Sequence, residues 1–174
     1  RWLMAAVMLL GACGGSEGGE VELPVQTFRD QGVNHLTEES VQDILAGAPG
    51  PDYNSDPPTS GPHAPTWAPC GVYREPIPDI FQVHTLEHGA VLAQYRPDLP
   101  ADQVAALESL ARELGQHVLV APRDGLGPPV VLTAWTVLVE LPELDLEAVR
   151  EFHREYAQRG PEAVPCPFEV DQAS

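Results

Sequence analysis

Lysine is absent from this chain: its nine basic residues are all arginine, and 26 acidic residues leave a formal net charge of −17. That deficit removes the basic footprint a phosphate backbone requires, so nucleic acid is excluded as a partner. It also disfavours flat adsorption on anionic lipid, while a diffuse negative field attracts cations weakly and favours solubility. Methionine occurs only at Met4 and Met8, so a domain starting after them offers no thioether for Cu(I). No Gly-x-Ser-x-Gly elbow, phosphate-binding glycine loop or dinucleotide fingerprint occurs, which sets aside serine hydrolase and nucleotide chemistry. Thr59-Ser60-Gly61-Pro62 is ordinary turn chemistry. No CxxC pair occurs either, and no apolar run is long enough to span a bilayer.

What the chain does have begins with Trp2 to Leu10, an apolar run of signal-sequence length behind Arg1. Leu10-Gly11-Ala12-Cys13 closes it and resembles a bacterial lipobox. The resemblance implies a lipoprotein signal peptide over 1–12, cleavage before Cys13 and a lipid on Cys13. Gly14 to Glu20 is a flexible spacer, making 13–20 a tether and 21–174 a single globular domain. The expected location is extracytoplasmic, anchored to the membrane of the cell envelope through Cys13. Cys70 and Cys166 then remain, and in an exported chain an even pair reads first as a disulfide, ahead of a metal thiolate.

Ten of the fifteen glycines lie in the first half, and nine of the nineteen prolines fall between Ala48 and Pro78. Thr37-Glu38-Glu39-Ser40 starts a helix with Val41, Ile44 and Leu45 on one face and Gly47 as its end. From Ala48 to Pro78 prolines recur every few residues, predicting a long ordered loop or a set of turns; Trp67, Val72 and Tyr73 give it something to bury. Ala90 to Tyr95 reads as a buried strand. Val104, Leu107, Leu110, Ala111 and Leu114 then recur at helical spacing, with Gly115 as the stop. His117 to Val120 is a short strand, Val130 to Val139 the longest strand candidate, and Asp145 caps a last helix carrying Leu146, Val149, Phe152 and Tyr156. Strand, helix, strand, strand, helix predicts an α+β fold with a small mixed sheet. Its first two strands would be parallel, its next two an antiparallel hairpin, and its helices would pack on one face, with the proline-rich irregular segment preceding them.

Six histidines occur. His117 and His153 read as structural or surface residues. His84-Thr85-Leu86-Glu87-His88 matches HxxEH, which on a helix puts both imidazoles and the carboxylate on one face. The pattern is that of inverted zinc metallopeptidases and is similar to the metal motif of S-ribosylhomocysteine lyases. Gly89 stops the helix at once, the lyase's catalytic cysteine pattern is missing, and an exported chain is in the wrong compartment for that lyase.

A longer set of motifs runs Pro57-Pro58-Thr59-Ser60-Gly61-Pro62-His63, then Val83 to Gly89, then Tyr95-Arg96-Pro97. Ala121-Pro122-Arg123, Thr133-Ala134-Trp135 and Gly160-Pro161-Glu162 follow. Over roughly residues 32–163 this resembles the bacterial domain-of-unknown-function family 3105, with Thr85 where serine is commoner. The resemblance implies that His63, His84, Glu87 and His88 sit in family motifs, and that His35 matches a looser upstream position.

Chemistry then suggests a metal site of His63, His84 and His88, completed by His35 or Glu87, for Cu²⁺ or Zn²⁺. So many protein ligands favour metal binding or handling over catalysis. Two alternatives stand beside it: a metal-free surface interaction module using the proline-rich loop, and a metal-dependent hydrolase with Glu87 as general base.

Overall fold

Apolar periodicity, capping residues and glycine stops account for most of the elements seen in the computed structural model, which describes residues 22–172. The expected signal segment, Cys13 and the tether lie outside those residues. In chain order the elements are β1 (Gln26–Thr27), α1 (Glu38–Leu45), β2 (Gly71–Val72), α2 (Asp79–Glu87), β3 (Val91–Tyr95), α3 (Ala101–Leu114), β4 (Val118–Pro122), β5 (Val130–Ala134), β6 (Val137–Leu141), α4 (Leu146–Tyr156) and β7 (Val170–Asp171). Thr37 caps α1 by accepting from the Ser40 amide, and Asp145 caps α4 by accepting from Glu147 and Ala148. Gly115 ends α3 in the left-handed region, φ 71°. On α1, Val41 is buried but Leu45 is exposed, so its apolar stripe is narrower than the spacing suggests.

The fold is α+β around a seven-stranded mixed sheet of order β1-β6-β5-β3-β4-β2-β7. The strands β3 and β4 are parallel and joined through α3, as the sequence predicts. The hairpin expected between β4 and β5 does not form. Instead β5 pairs antiparallel with β3, and the far edge of β4 is taken by β2. The chain steps across the end of β3, where Arg123 donates to Tyr95 O and Arg96 donates to Pro129 O. Pro128 and Pro129 cannot donate to a ladder there, which works against a tight return beside β4. The long strand expected over Val130 to Val139 is itself a hairpin, broken between Ala134 and Val137, with Thr136 at φ 61°. Apolar residues continue through that turn, so alternation alone does not reveal it.

One face of the sheet packs on α3 and α4. Val91, Ala93, Val118, Val120, Leu132 and Val139 meet Leu107, Leu110, Val149 and Phe152 in the largest apolar cluster. The packing of helices on one face holds for this pair. The alternate residues Leu92, Leu119 and Ala121 point the other way, onto Leu86 of α2 and the disulfide between Cys70 and Cys166. That bond joins residues 96 apart and ties the tail to the middle of the chain. A disulfide fits an extracytoplasmic location. No helix among the described residues is long and apolar enough to cross a membrane.

Candidate metal centre

Between α1 and β2 the chain has turns and bends but no helix, and its shape is fixed by specific hydrogen bonds. Thr59, Ser60 and His63 are fully buried. Tyr53 donates to Pro62 O at 2.8 Å, the Ser60 hydroxyl accepts from Gln31 N at 3.1 Å, and Thr136 N donates to Thr59 O at 2.9 Å. Arg123 reaches Asp56 at 2.6 Å and also grips Asp79 in the first turn of α2. Trp135 donates to Asp30 at 3.2 Å. The Ala-Pro-Arg and Thr-Ala-Trp motifs therefore brace the histidine-bearing segment from outside. An isolated parallel bridge pairs His35 with His63, through Leu36 N to His63 O at 2.7 Å and His63 N to Asn34 O at 3.0 Å. That bridge brings two histidines 28 positions apart in sequence side by side.

The other side chains come from α2. Positions 84, 87 and 88 share one helical face, and the helix ends at once, with Gly89 at φ 85°. Its C-terminus is clamped by the chain after α4. Gln158 N donates to Gly89 O at 2.6 Å and Glu162 N to Glu87 O at 2.9 Å. A Cβ on Gly160 would lie 2.1 Å from Glu87 O, so only glycine permits this approach.

His35, His63, His84 and Glu87 each direct one donor atom into a common space, all within 4.8 Å of one another. Glu87 Oε2 lies 3.0 Å from His63 Nε2, 3.8 Å from His84 Nε2 and 3.9 Å from His35 Nε2. Donors held tetrahedrally about 2.1 Å from a Zn²⁺ ion are roughly 3.4 Å apart, so this spread suits one ion. His63 Nδ1 is 2.8 Å from Gly61 O and His84 Nδ1 is 2.7 Å from Ala64 O. A carbonyl can only accept, so both Nδ1 atoms carry the proton and both Nε2 atoms present lone pairs inward. This is the orienting bond of a metal-ligating imidazole.

Burial pushes His63, His84 and His88 below the ordinary histidine value, which favours the neutral ring. Burial, with help from Glu162, holds Glu87 above the usual carboxylate range. His63 Nε2 and Glu87 Oε2 are both buried without a hydrogen-bond partner. Such pairs of unmet acceptors are rare in folded proteins. A buried His/Glu cluster of this kind could hold a metal ion.

His88 does not join that group of four. Its Nε2 stands 3.0 Å from His84 Nε2 and 3.7 Å from Glu162 Oε2, and it belongs with Glu87 and Glu162 to a second cluster. The rings of His63 and His84 lie 4.9 Å apart and those of His84 and His88 4.5 Å apart, so all three occupy one neighbourhood. Sequence reasoning missed Glu162 as a candidate, although it ends the last motif. Trp67, expected to be buried, is 45% exposed, and its ring covers His88 at 4.9 Å between ring centroids. His117 is buried at the start of β4, and His153 sits 2.9 Å from Gln116 O. Neither joins these metal-competent groups among the described residues.

Neither curated proteins nor solved structures contain a match to this chain. A family does match, over residues 51–167, so that His63, His84, Glu87, His88 and Glu162 fall inside the matched span and His35 outside it. The family is described as "Protein of unknown function (DUF3105)", and this chain belongs to it.

Proposed function

We propose that this protein is a cell-envelope lipoprotein that binds a divalent transition-metal ion, Zn²⁺ or Cu²⁺, through His35, His63, His84 and Glu87. Its role is metal binding or handling, not catalysis. One observation carries the reading. Two buried acceptors without a hydrogen-bond partner, His63 Nε2 and Glu87 Oε2, converge on a space that His84 and His35 also border with a donor atom each. A proton shared between His63 and Glu87 would relieve that pair alone; a cation relieves it and takes His84 and His35 as further ligands. Neutral imidazole with a carboxylate is a donor set suited to Zn²⁺ and Cu²⁺. Four protein ligands leave no open coordination position, which favours a closed binding site over a hydrolytic one.

The test is elemental analysis of the untagged, disulfide-bonded protein after dialysis. One or more equivalents of Zn²⁺ or Cu²⁺ is expected, with loss of the buried ion in His63→Ala and His84→Ala while the far-ultraviolet circular dichroism is kept. A metal-free wild type that also fails to take up either ion would refute the reading. Anchoring is tested separately: fatty-acyl label should enter the full chain and be lost in Cys13→Ser. If peptide or ester hydrolysis appears and vanishes in Glu87→Gln with metal still bound, the protein is instead a hydrolase.

A further inference from the structure

We propose a second cation subsite, formed by His88 and Glu162 with Glu87 shared, so that the centre takes up two divalent ions on either side of one carboxylate. The proposal rests on the metal-binding reading above and extends it. Glu87, His88 and Glu162 each offer one ligand atom, and these lie within 4.8 Å of one another. This is more than a chance meeting of acidic groups, because Glu87 is 2% exposed and buried beside the His88 imidazole, while its Oε2, 3.0 Å from His63 Nε2, has no hydrogen-bond partner. His88 is also buried, whereas the Glu162 side chain is 58% exposed. The outer subsite therefore opens to solvent on the Glu162 side. Trp67 lies beside it, its ring 4.9 Å from that of His88.

The position of Glu162 is built into the fold. Its amide bonds the last carbonyl of α2, and the glycine-only contact at Gly160 holds the loop against the helix end. Two carboxylates and an imidazole leave open coordination positions for water or an incoming donor. A carboxylate between two cations about 3.5–4 Å apart is the usual arrangement of paired metal sites.

The contact of His84 Nε2 with His88 Nε2 at 3.0 Å sets an order of filling. Because His84 Nδ1 holds its proton toward Ala64 O, His84 Nε2 can only accept, and in the metal-free protein His88 Nε2 is the donor. An ion on His84 takes that lone pair away. His88 then shifts its proton to Nδ1, leaving Nε2 free to ligate. The inner site fills first and makes the outer one available.

The full chain with its disulfide intact, stripped by a chelator, is titrated with Zn²⁺ alone and with Cu²⁺ alone. Bound ions are counted by elemental analysis after gel filtration. Two ions per wild-type chain are expected, falling to one in Glu162→Gln and in His88→Gln. Glu162→Gln alters an exposed side chain and leaves the backbone bond in place, so it decides the matter should His88→Gln not fold. With two Cu²⁺ bound, loss of paramagnetic resonance intensity through spin coupling is expected, and full recovery in Glu162→Gln. One ion in the wild type, unchanged in Glu162→Gln, overturns the second subsite and leaves the first standing. Two ions with uncoupled resonance overturn the shared carboxylate, and no ion at all sinks both readings.

Discussion

Against one face of the sheet, α3 and α4 bury Leu107, Leu110, Val149 and Phe152 on valine and leucine. Against the opposite face, α2 and the proline-rich chain bury His63, Gln82, His84, Thr85 and Glu87. The first face is held by area removed from water, which best tolerates apolar exchanges that conserve volume. The second is held by individual hydrogen bonds such as the Thr85 hydroxyl to Ala68 O at 2.8 Å, and by the disulfide behind it. Unpaired buried polar atoms collect there: His63 Nε2, Glu87 Oε2, Gln82 Oε1, both ends of Gln94, and Thr133 Oγ1. Apolar packing makes one side of the molecule stable. The other side spends that stability on holding polar groups out of water.

The contrast can be broken most strongly at the disulfide. Replacing Cys70 and Cys166 by serine opens a loop of 96 residues, and should cost roughly 4–5 kcal/mol in the chain-entropy model. Urea unfolding of the oxidised wild type and the double variant measures the difference. Metal uptake should weaken too, because the bond underlies the face that carries α2. Phe152→Ala tests the apolar face in isolation. The side chain is 1% exposed, so a loss of about 3–4 kcal/mol is expected, with the bound-metal count unchanged.

On the polar face, Zn²⁺ at a hundredfold excess over its Kd should raise unfolding stability by about 2.7 kcal/mol. That gain should vanish in His63→Ala, in which a ligand is lost but the apolar face is intact.

The chelated protein should lose stability as pH falls. His63, His84 and His88 have folded values below the ordinary 6.5, so below that pH the unfolded chain binds protons the folded one refuses. The loss begins near pH 6.5 and ends where the folded imidazoles themselves protonate. Glu87, held above its ordinary range, acts in the opposite sense: its contribution is present at low pH and lost as pH rises through its folded value. Unfolding measured from pH 7 down to 5 should show a shallower decline in His84→Asn. The smallest effect belongs to Asp145→Ala, which removes the α4 cap and should cost about 1 kcal/mol without touching the site.

Much of this was legible in local sequence. Thr37, Asp145 and Gly115 mark helix ends through chemistry confined to one turn. The Cys70–Cys166 pair was readable because only two cysteines follow Cys13. Glu87 and His84 declare themselves by helical spacing. Other features depend on partners the local sequence does not name. The hairpin turn at Trp135–Thr136 interrupts no apolar run, and β5 chooses β3 over β4 because of what occupies the edges. Glu162 looks like one of many acidic residues until the loop carrying it folds back on α2. Trp67 looks like core until its ring lies half exposed against two imidazoles.

Composition and periodicity by themselves determined helices α1, α3 and α4 with their end signals, strands β3 and β4, the disulfide pair and the residue classes able to bind a cation, since each depends on neighbours within a few positions or on simple counting. Only the tertiary structure decided that His35 and His63 share a backbone bridge, that His88 stands apart from the inner four, and that Glu162 joins it. Those relations come from contacts between distant segments, where a backbone hydrogen bond or the missing Cβ of Gly160 sets how closely they approach.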